Sequence, residues 1–217
     1  MTPAAIKSRP ILFSGPMVRA ILDGRKSQTR RIVKNGGPCA VDPRFHPAED
    51  VARELAQDLR SLAKRCPYGA PGDELFVREA FASFDNVGQP VKPSDATYVV
   101  MRDGTQVYRD GVIVPRLAEY APGASDHIKW RPSIFLPRWA SRLTLVVKSV
   151  RVERLGAITR DDAIAEGFPG TFGTEELEGL TPADEYIVAF RAMNKLAADA
   201  DPWVWVIEFE RKQGGAA

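Results

Sequence analysis

The chain reads as an α+β protein built on a curved, mainly antiparallel sheet, and three observations support that reading. Periodic segments follow the order strand, helix, several strands, short helix, helix, strand, with no regular β–α alternation and no internal repeat. Within Ser141–Val152, Leu143, Leu145 and Val147 alternate on one face, whereas Val150 and Val152 continue on the opposite parity. A one-residue change of phase in a continuous strand is the pattern of a β-bulge, which re-aims strands in strongly bent sheets and barrels. The last strand, Trp203–Glu210, sets Trp203, Trp205, Ile207 and Phe209 on one side. Aromatic residues so placed suit either base stacking or packing beneath a helix.

The elements can be justified in order. Ile11-Leu12-Phe13 is a short apolar run that suits a buried strand. Pro16 fits the first turn of a helix whose apolar face is Met17, Val18, Ile21 and Leu22, and Gly24 stops it. Arg25-Lys26-Ser27-Gln28-Thr29-Arg30-Arg31 then alternates cations with hydroxyl and amide groups, more anion-binding chemistry than a core segment needs. Thr29–Val33 continues as a strand until Asn35-Gly36-Gly37-Pro38 breaks it. A helix is expected over Ala48–Lys64, with Val51, Leu55, Leu59 and Leu62 on one face. Glycine and proline breaks bracket it, so residues 35–66 are expected to be an insertion outside the barrel. Asp73–Phe81 reads as one strand and Ala96–Met101 as another, turned at Asp103-Gly104. Residues 82–129 are polar and rich in turn formers, and are expected to be a second insertion of hairpins or loops. Thr159-Arg160-Asp161-Asp162 is a capping box opening a short helix that ends at Glu166-Gly167. Thr181-Pro182-Ala183-Asp184 opens another, with Tyr186, Phe190 and Met193 as its apolar stripe. The whole is expected to form a single domain.

Charge is segregated along the chain. Lys7–Lys34 carries eight Lys or Arg and one acid, Asp23, whereas Asp161–Glu185 carries eight Asp or Glu and no Lys or Arg. This pattern suggests a basic surface for an anionic partner, with an acidic segment elsewhere. No apolar run resembles a signal-peptide core or a membrane span, so a membrane partner is not expected. Cys39 and Cys66 are too few for a disulfide framework, which makes a reducing cytoplasm the expected setting. Neither a metal nor a cofactor is expected. Cys39, His46 and Cys66 lack the paired short spacings of zinc sites, and His127 stands alone. Gly24-Arg25-Lys26-Ser27 is not a phosphate loop, because it follows a helix instead of opening one and lacks the first glycine of that motif. Nothing in the sequence specifies an oligomeric state.

Four features together resemble the ASCH domain. They are Gly24-Arg25-Lys26-Ser27-Gln28-Thr29, the Gly72-Asp73 opening a strand, the helix end Ala163-Ile164-Ala165-Glu166-Gly167, and the aromatic last strand. Trp130-Arg131-Pro132-Ser133 and Pro137-Arg138-Trp139-Ala140-Ser141-Arg142 look like the phage and prophage branch of that family. The resemblance covers roughly residues 9–33, 67–81, 130–167 and 202–211. It implies a PUA-like β-barrel with flanking helices and inserted segments. Small bacterial members hydrolyse acetylated cytidine and release acetate by means of a lysine, a threonine and a glutamate. By the resemblance these fall on Lys26, Thr29 and Glu166, and a further arginine of the motif falls on Arg31. The partner so implied is a modified nucleoside or RNA, since other relatives bind RNA without catalysis or cut single-stranded RNA. This chain departs from the pattern in being about twice the minimal length and in carrying Ser27 where threonine is usual.

The trio is chemically coherent. A lysine crowded by Arg25, Arg30 and Arg31 and removed from water would fall from about 10.4 toward roughly 7–8 and accept a proton from a hydroxyl. Thr29 would then attack or position water, and Glu166 would relay a proton to the leaving nitrogen. Blander roles stay open: a phosphate contact for Lys26, a strand-edge hydroxyl for Thr29, a solvated helix end for Glu166. Arg78 and Glu79 are suited to a base edge or to pairing with each other. Trp130, Arg131 and Ser133 form an aromatic–cation–hydroxyl group suited to a nucleobase, though Trp130 fits a core equally. Arg138 and Arg142 are expected to extend the basic surface. Ser14 either caps the first helix or faces the pocket.

Overall fold

A computed structural model describes residues 5–34, 37–38, 47–115, 128–168 and 180–212. The chain divides into two compact units, one of Met1–Arg19, Asp73–Val146 and Arg211–Ala217, the other of Ala20–Gly72 and Val147–Glu210. The architecture is α+β, with two mostly antiparallel sheets and four α-helices among the described residues. None of these helices is long and apolar enough to cross a membrane.

In the first unit, β1 (Ser8–Leu12) runs parallel to β3 (Glu74–Arg78), from Ser8 opposite Glu74 to Leu12 opposite Arg78. Strand β3 pairs antiparallel with the start of β8 (Thr144–Arg154), Phe76 facing Thr144. A second sheet is a meander of β4 (Phe81–Phe84), β5 (Tyr98–Met101), β6 (Gln106–Tyr108) and β7 (Ile113–Val114). The expected single strand Asp73–Phe81 is thus two strands. The chain leaves one sheet at Arg78 and enters the other at Phe81, with Glu79 and Ala80 as the joint. Residues 82–129 were expected as hairpins or loops, and through Val114 the described ones form hairpins. Phe81, Val99, Met101, Val107, Leu136 and Ala140 make their own core. Directly opposed rings reinforce the pairing, with Tyr98 5.5 Å from Phe84 and 5.0 Å from Tyr108. The Asp103 carboxylate accepts from Thr105 N at 2.9 Å, and Gly104 adopts φ +87°, which an L side chain resists.

In the second unit, β2 (Gln28–Ile32) pairs antiparallel with β9 (Trp203–Arg211), Gln28 facing Glu208 and Ile32 facing Val204. Helix α1 (Gly15–Leu22) begins in the first unit and only its end, from Ala20, belongs to the second; it stops before Gly24, whose φ is +75°. Helix α2 spans Ala48–Lys64, as the periodicity predicts, yet none of its residues is buried. Helices α3 (Arg160–Ala165) and α4 (Pro182–Met193) both begin with the expected capping boxes, Thr159 with Asp162 and Thr181 with Asp184. Their apolar faces join Leu155, Ile158, Val204 and Val206 in one core through Ala163, Tyr186 and Phe190. Met193 is 56% exposed and does not belong to that stripe.

Two further expectations change. Burial along β8 shifts from Leu145 and Val147 to Val152, the phase change read from the sequence. No barrel closes among the described residues, because β1 has β3 as its one strand partner and β2 has β9. A barrel requires two neighbours for every strand. Strand β9 is buried on both faces, with Val204, Val206 and Ile207 at 0% exposure and Trp205 at 6%, so it packs instead of offering a stacking platform.

The contrast between α2 and the α3–α4 core is measurable. Leu155→Ala, at a fully buried position, should cost about 2–5 kcal/mol in urea denaturation. Leu59→Ala on the half-covered α2 should cost about 1 kcal/mol or less.

Candidate functional site

The basic turn is held down by backbone bonds before any side chain acts. Arg25 N and Lys26 N donate to Ala20 O at 2.8 and 3.0 Å, turning the chain back on the helix end. Lys26 then forms an isolated antiparallel bridge with Glu166. Ser27 N donates to Ala165 O at 2.9 Å, and Phe209 N to Ser27 O at 2.8 Å. The turn is therefore fastened to the end of α3 and to β9. Gly167 adopts φ +87°, and a Cβ there would lie 3.3 Å from Lys26 Cβ and 3.2 Å from Ala20 Cβ. Backbone conformation and close approach both call for glycine.

Side chains then converge on Glu166. Lys26 Nζ donates to Glu166 Oε2 at 2.7 Å, to Glu166 O at 3.0 Å and to Gln28 O at 2.7 Å. These three bonds use all three ammonium hydrogens. The Lys26 and Glu166 side chains are 1% and 3% exposed. Arg30 is wholly buried and meets Glu153 at 2.5 Å, Asp162 at 3.2 Å and Glu166 at 3.3 Å. Its Nε is buried without a partner among the described residues. Arg151 extends the network to Glu153 at 3.1 Å, Asp162 at 2.8 Å and Glu208. Gln28 Nε2 donates to Asp162 Oδ1 at 3.1 Å. The Thr29 hydroxyl, also buried, accepts from Arg31 Nη1 at 2.9 Å.

Burial pushes the Lys26 ammonium below its ordinary value; Glu166 opposes the shift, while Arg31 and Arg30 add to it. Burial alone would raise Asp162, but hydrogen bonds from Thr159 and Gln28 and the Arg30 charge bring it to about 2. Burial raises the Tyr186 phenol well above its usual range, and the neighbouring Glu166 carboxylate adds to that. Arg30 lies 5.8 Å from the centre of the Tyr186 ring.

Lys26, Thr29, Arg30, Arg31 and Glu166 thus belong to the second unit, and several readings change. Lys26 and Glu166 are not exposed to solvent, and Thr29, although it lies on the edge strand β2, has a covered side chain. All three are buried. Arg25 is exposed and pairs with Asp23 at 2.9 Å, apart from the Lys26 cluster. The basic segment is not a free surface, because Lys26 and Arg30 are neutralised by the acidic helix that follows Thr159. Sequence reading missed Arg151, Glu153, Asp162 and Glu208 as members of the network, and took Tyr186 for an apolar residue only.

Ser14, Arg78, Glu79, Trp130, Arg131 and Ser133 belong to the first unit. Ser14 is exposed and stands just before α1, its backbone carbonyl accepting the first helical bond from Val18 N at 3.0 Å. Arg78 and Glu79 do not pair with each other. Arg78 donates to Ile134 O at 3.0 Å, and Glu79 is held by Arg142 at 2.8 Å. Arg142 also meets Asp103 and Thr105, each at 2.7 Å, and is no part of a basic surface. The Arg131 guanidinium bonds Ser83 Oγ and Val91 O, and Trp130 carries the Arg102 guanidinium 4.7 Å from its ring centre. Ser133 opens a single 3-10 turn, Ser133–Phe135. Among the described residues no group of three His, Cys, Asp or Glu could hold a metal, and Cys39, His46 and His127 lie outside those residues.

No family model, curated protein or solved structure matches this chain.

Two measurements probe the network. Glu166→Gln leaves Lys26 and Arg30 short of a buried counter-charge and should cost about 3–5 kcal/mol by chemical denaturation. Asp23→Asn, at an exposed pair, should change stability by less than about 1 kcal/mol. Asp162 binds its proton more weakly folded than unfolded, so its contribution is complete above pH 3.8 and lost as pH falls through about 2. Asp162→Asn should flatten the acid limb of the stability profile in that window.

Proposed function

We propose that the chain is an ASCH-type, PUA-like protein that removes an acyl group from a modified cytidine-type nucleoside. The observation that carries this reading is the buried contact between Lys26 Nζ and Glu166 Oε2 at 2.7 Å, with the lysine's proton affinity lowered by burial. The sequence resemblance assigns chemistry to those two residues and to Thr29, and each of the three is shut away from bulk water.

In this reading Lys26 passes a proton to Glu166 along their hydrogen bond and becomes a neutral base. It then takes the proton of the Thr29 hydroxyl, whose oxygen attacks the acyl carbonyl carbon. A C–O bond forms and the carbonyl π pair moves to oxygen. As that pair returns, the C–N bond breaks and the protonated Glu166 supplies the proton to the departing exocyclic amine. Water then cleaves the threonine ester, releasing the carboxylic acid and restoring the hydroxyl. Arg31, already donating to Thr29, orients that oxygen.

A second reading is a nucleic-acid-binding module without catalysis. What favours a non-catalytic role is the saturation of the Lys26 ammonium, whose three N–H groups all donate to protein acceptors; any contact with nucleic acid then falls to the exposed Arg25 and the part-exposed Arg31. A base must give up one of those bonds; a clamp need not.

Incubation with N4-acetylcytidine separates the two. Hydrolysis should release acetate and cytidine, and Thr29→Val, which keeps the side-chain shape, should lower turnover by about 10²-fold or more with an unchanged melting temperature. A wild-type chain that turns over no acylated nucleoside, but binds RNA with a steep salt dependence, establishes the binding module.

A further inference from the structure

The second unit holds a cavity of about 560 Å3 to which Lys26, Thr29 and Glu166 contribute nothing. Its floor is apolar, made by Ile32 and Val33 at the end of β2 and by Leu62 in the last turn of α2. All three are half-buried, so this floor is still partly open to solvent. Tyr68, also half-buried, forms an aromatic wall, with the nearly covered Trp205 beneath. Two cations, Lys34 and Arg65, complete the lining, both exposed and without an ion-pair partner among the described residues. No carboxylate is among the described lining residues. Arg65 is the C-cap residue of α2, a position where a cation offsets the negative end of the helix dipole.

Size and lining match those of small-molecule pockets, which are mostly apolar with a few placed polar groups. A purely apolar ligand would leave both cations unused, and a bare phosphate would leave the apolar floor unused. A planar ring carrying a phosphate uses both. We propose that this cavity binds a nucleoside monophosphate, its base against Tyr68 and the apolar floor and its phosphate held by Lys34 and Arg65. Base stacking on an aromatic side chain tolerates any base, and guanidinium–phosphate hydrogen bonds are among the stronger kind. The inference does not depend on the hydrolytic reading, because its binding site shares no residue with that chemistry.

Calorimetric titration of the full chain with CMP, AMP, cytidine, adenosine and inorganic phosphate tests it. The monophosphates should bind, with each nucleoside and inorganic phosphate at least about tenfold weaker. Lys34→Ala combined with Arg65→Ala should abolish the preference for CMP over cytidine, and Tyr68→Ala should weaken both. Leu62→Trp, which fills the cavity, should eliminate binding, with thermal melts confirming that each variant is folded. A 5′-phosphorylated trinucleotide that matches CMP identifies an RNA end as the source, and one that is excluded identifies the free nucleotide. Either result supports the site. The proposal is overturned if no monophosphate binds, if inorganic phosphate binds as tightly as CMP, or if Tyr68→Ala and the double cation variant leave CMP affinity unchanged.

Discussion

Arg30 has no contact with solvent, and the second unit is arranged around that constraint. A guanidinium keeps its charge at any working pH, so counter-charges must be brought to it. Strand β8 supplies Glu153, and α3 with its C-cap supplies Asp162 and Glu166. Lys26 enters the same arrangement by sharing Glu166. Clusters of this kind add little net stability relative to apolar packing, yet they penalise any arrangement that leaves one member unpaired. What the cluster specifies is which residues of the basic turn meet which residues of the helix.

That pairing changes what the turn can do. Its central cations are committed to internal carboxylates, so little of its charge is left to attract a polyanion. Chemistry at Lys26 remains compatible with the geometry, because burial weakens its hold on the proton and Glu166 lies one hydrogen bond away. Reaching it requires that water and substrate displace contacts that are closed in the resting structure. A site of this type depends on local opening as much as on its residues.

Much of the fold was legible in the sequence because its signals are local. The bounds of α2 follow from apolar spacing, and the starts of α3 and α4 from capping boxes that the chain carries within four residues. The break between β3 and β4 was not legible, since Arg78-Glu79-Ala80 carries no glycine or proline to mark a turn and only tertiary pairing moves Phe81 to another sheet. Arg30 was read as surface because a charged side chain is seldom fully buried unless paired, and its partners lie more than a hundred residues away. The same holds for Tyr186, whose phenol hides among apolar neighbours in helical spacing while Glu166 comes from another element. A signal for the pairing did exist. A basic segment and an acidic segment of matched charge were both visible, and the structure joins residues of one to residues of the other.

Gly167 has an evolutionary consequence. Its left-handed backbone strains any L side chain, and a β-carbon there would press on those of Lys26 and Ala20, whatever reaction the neighbouring groups perform. Selection on folding alone will therefore favour glycine at this position in descendants of this sequence, including lineages that have lost an ancestral activity. Thr29 is under no such steric rule, since valine matches its shape. Drift from threonine to valine at that position, beside an unchanged Glu166-Gly167, would mark the branches in which the hydroxyl has ceased to matter.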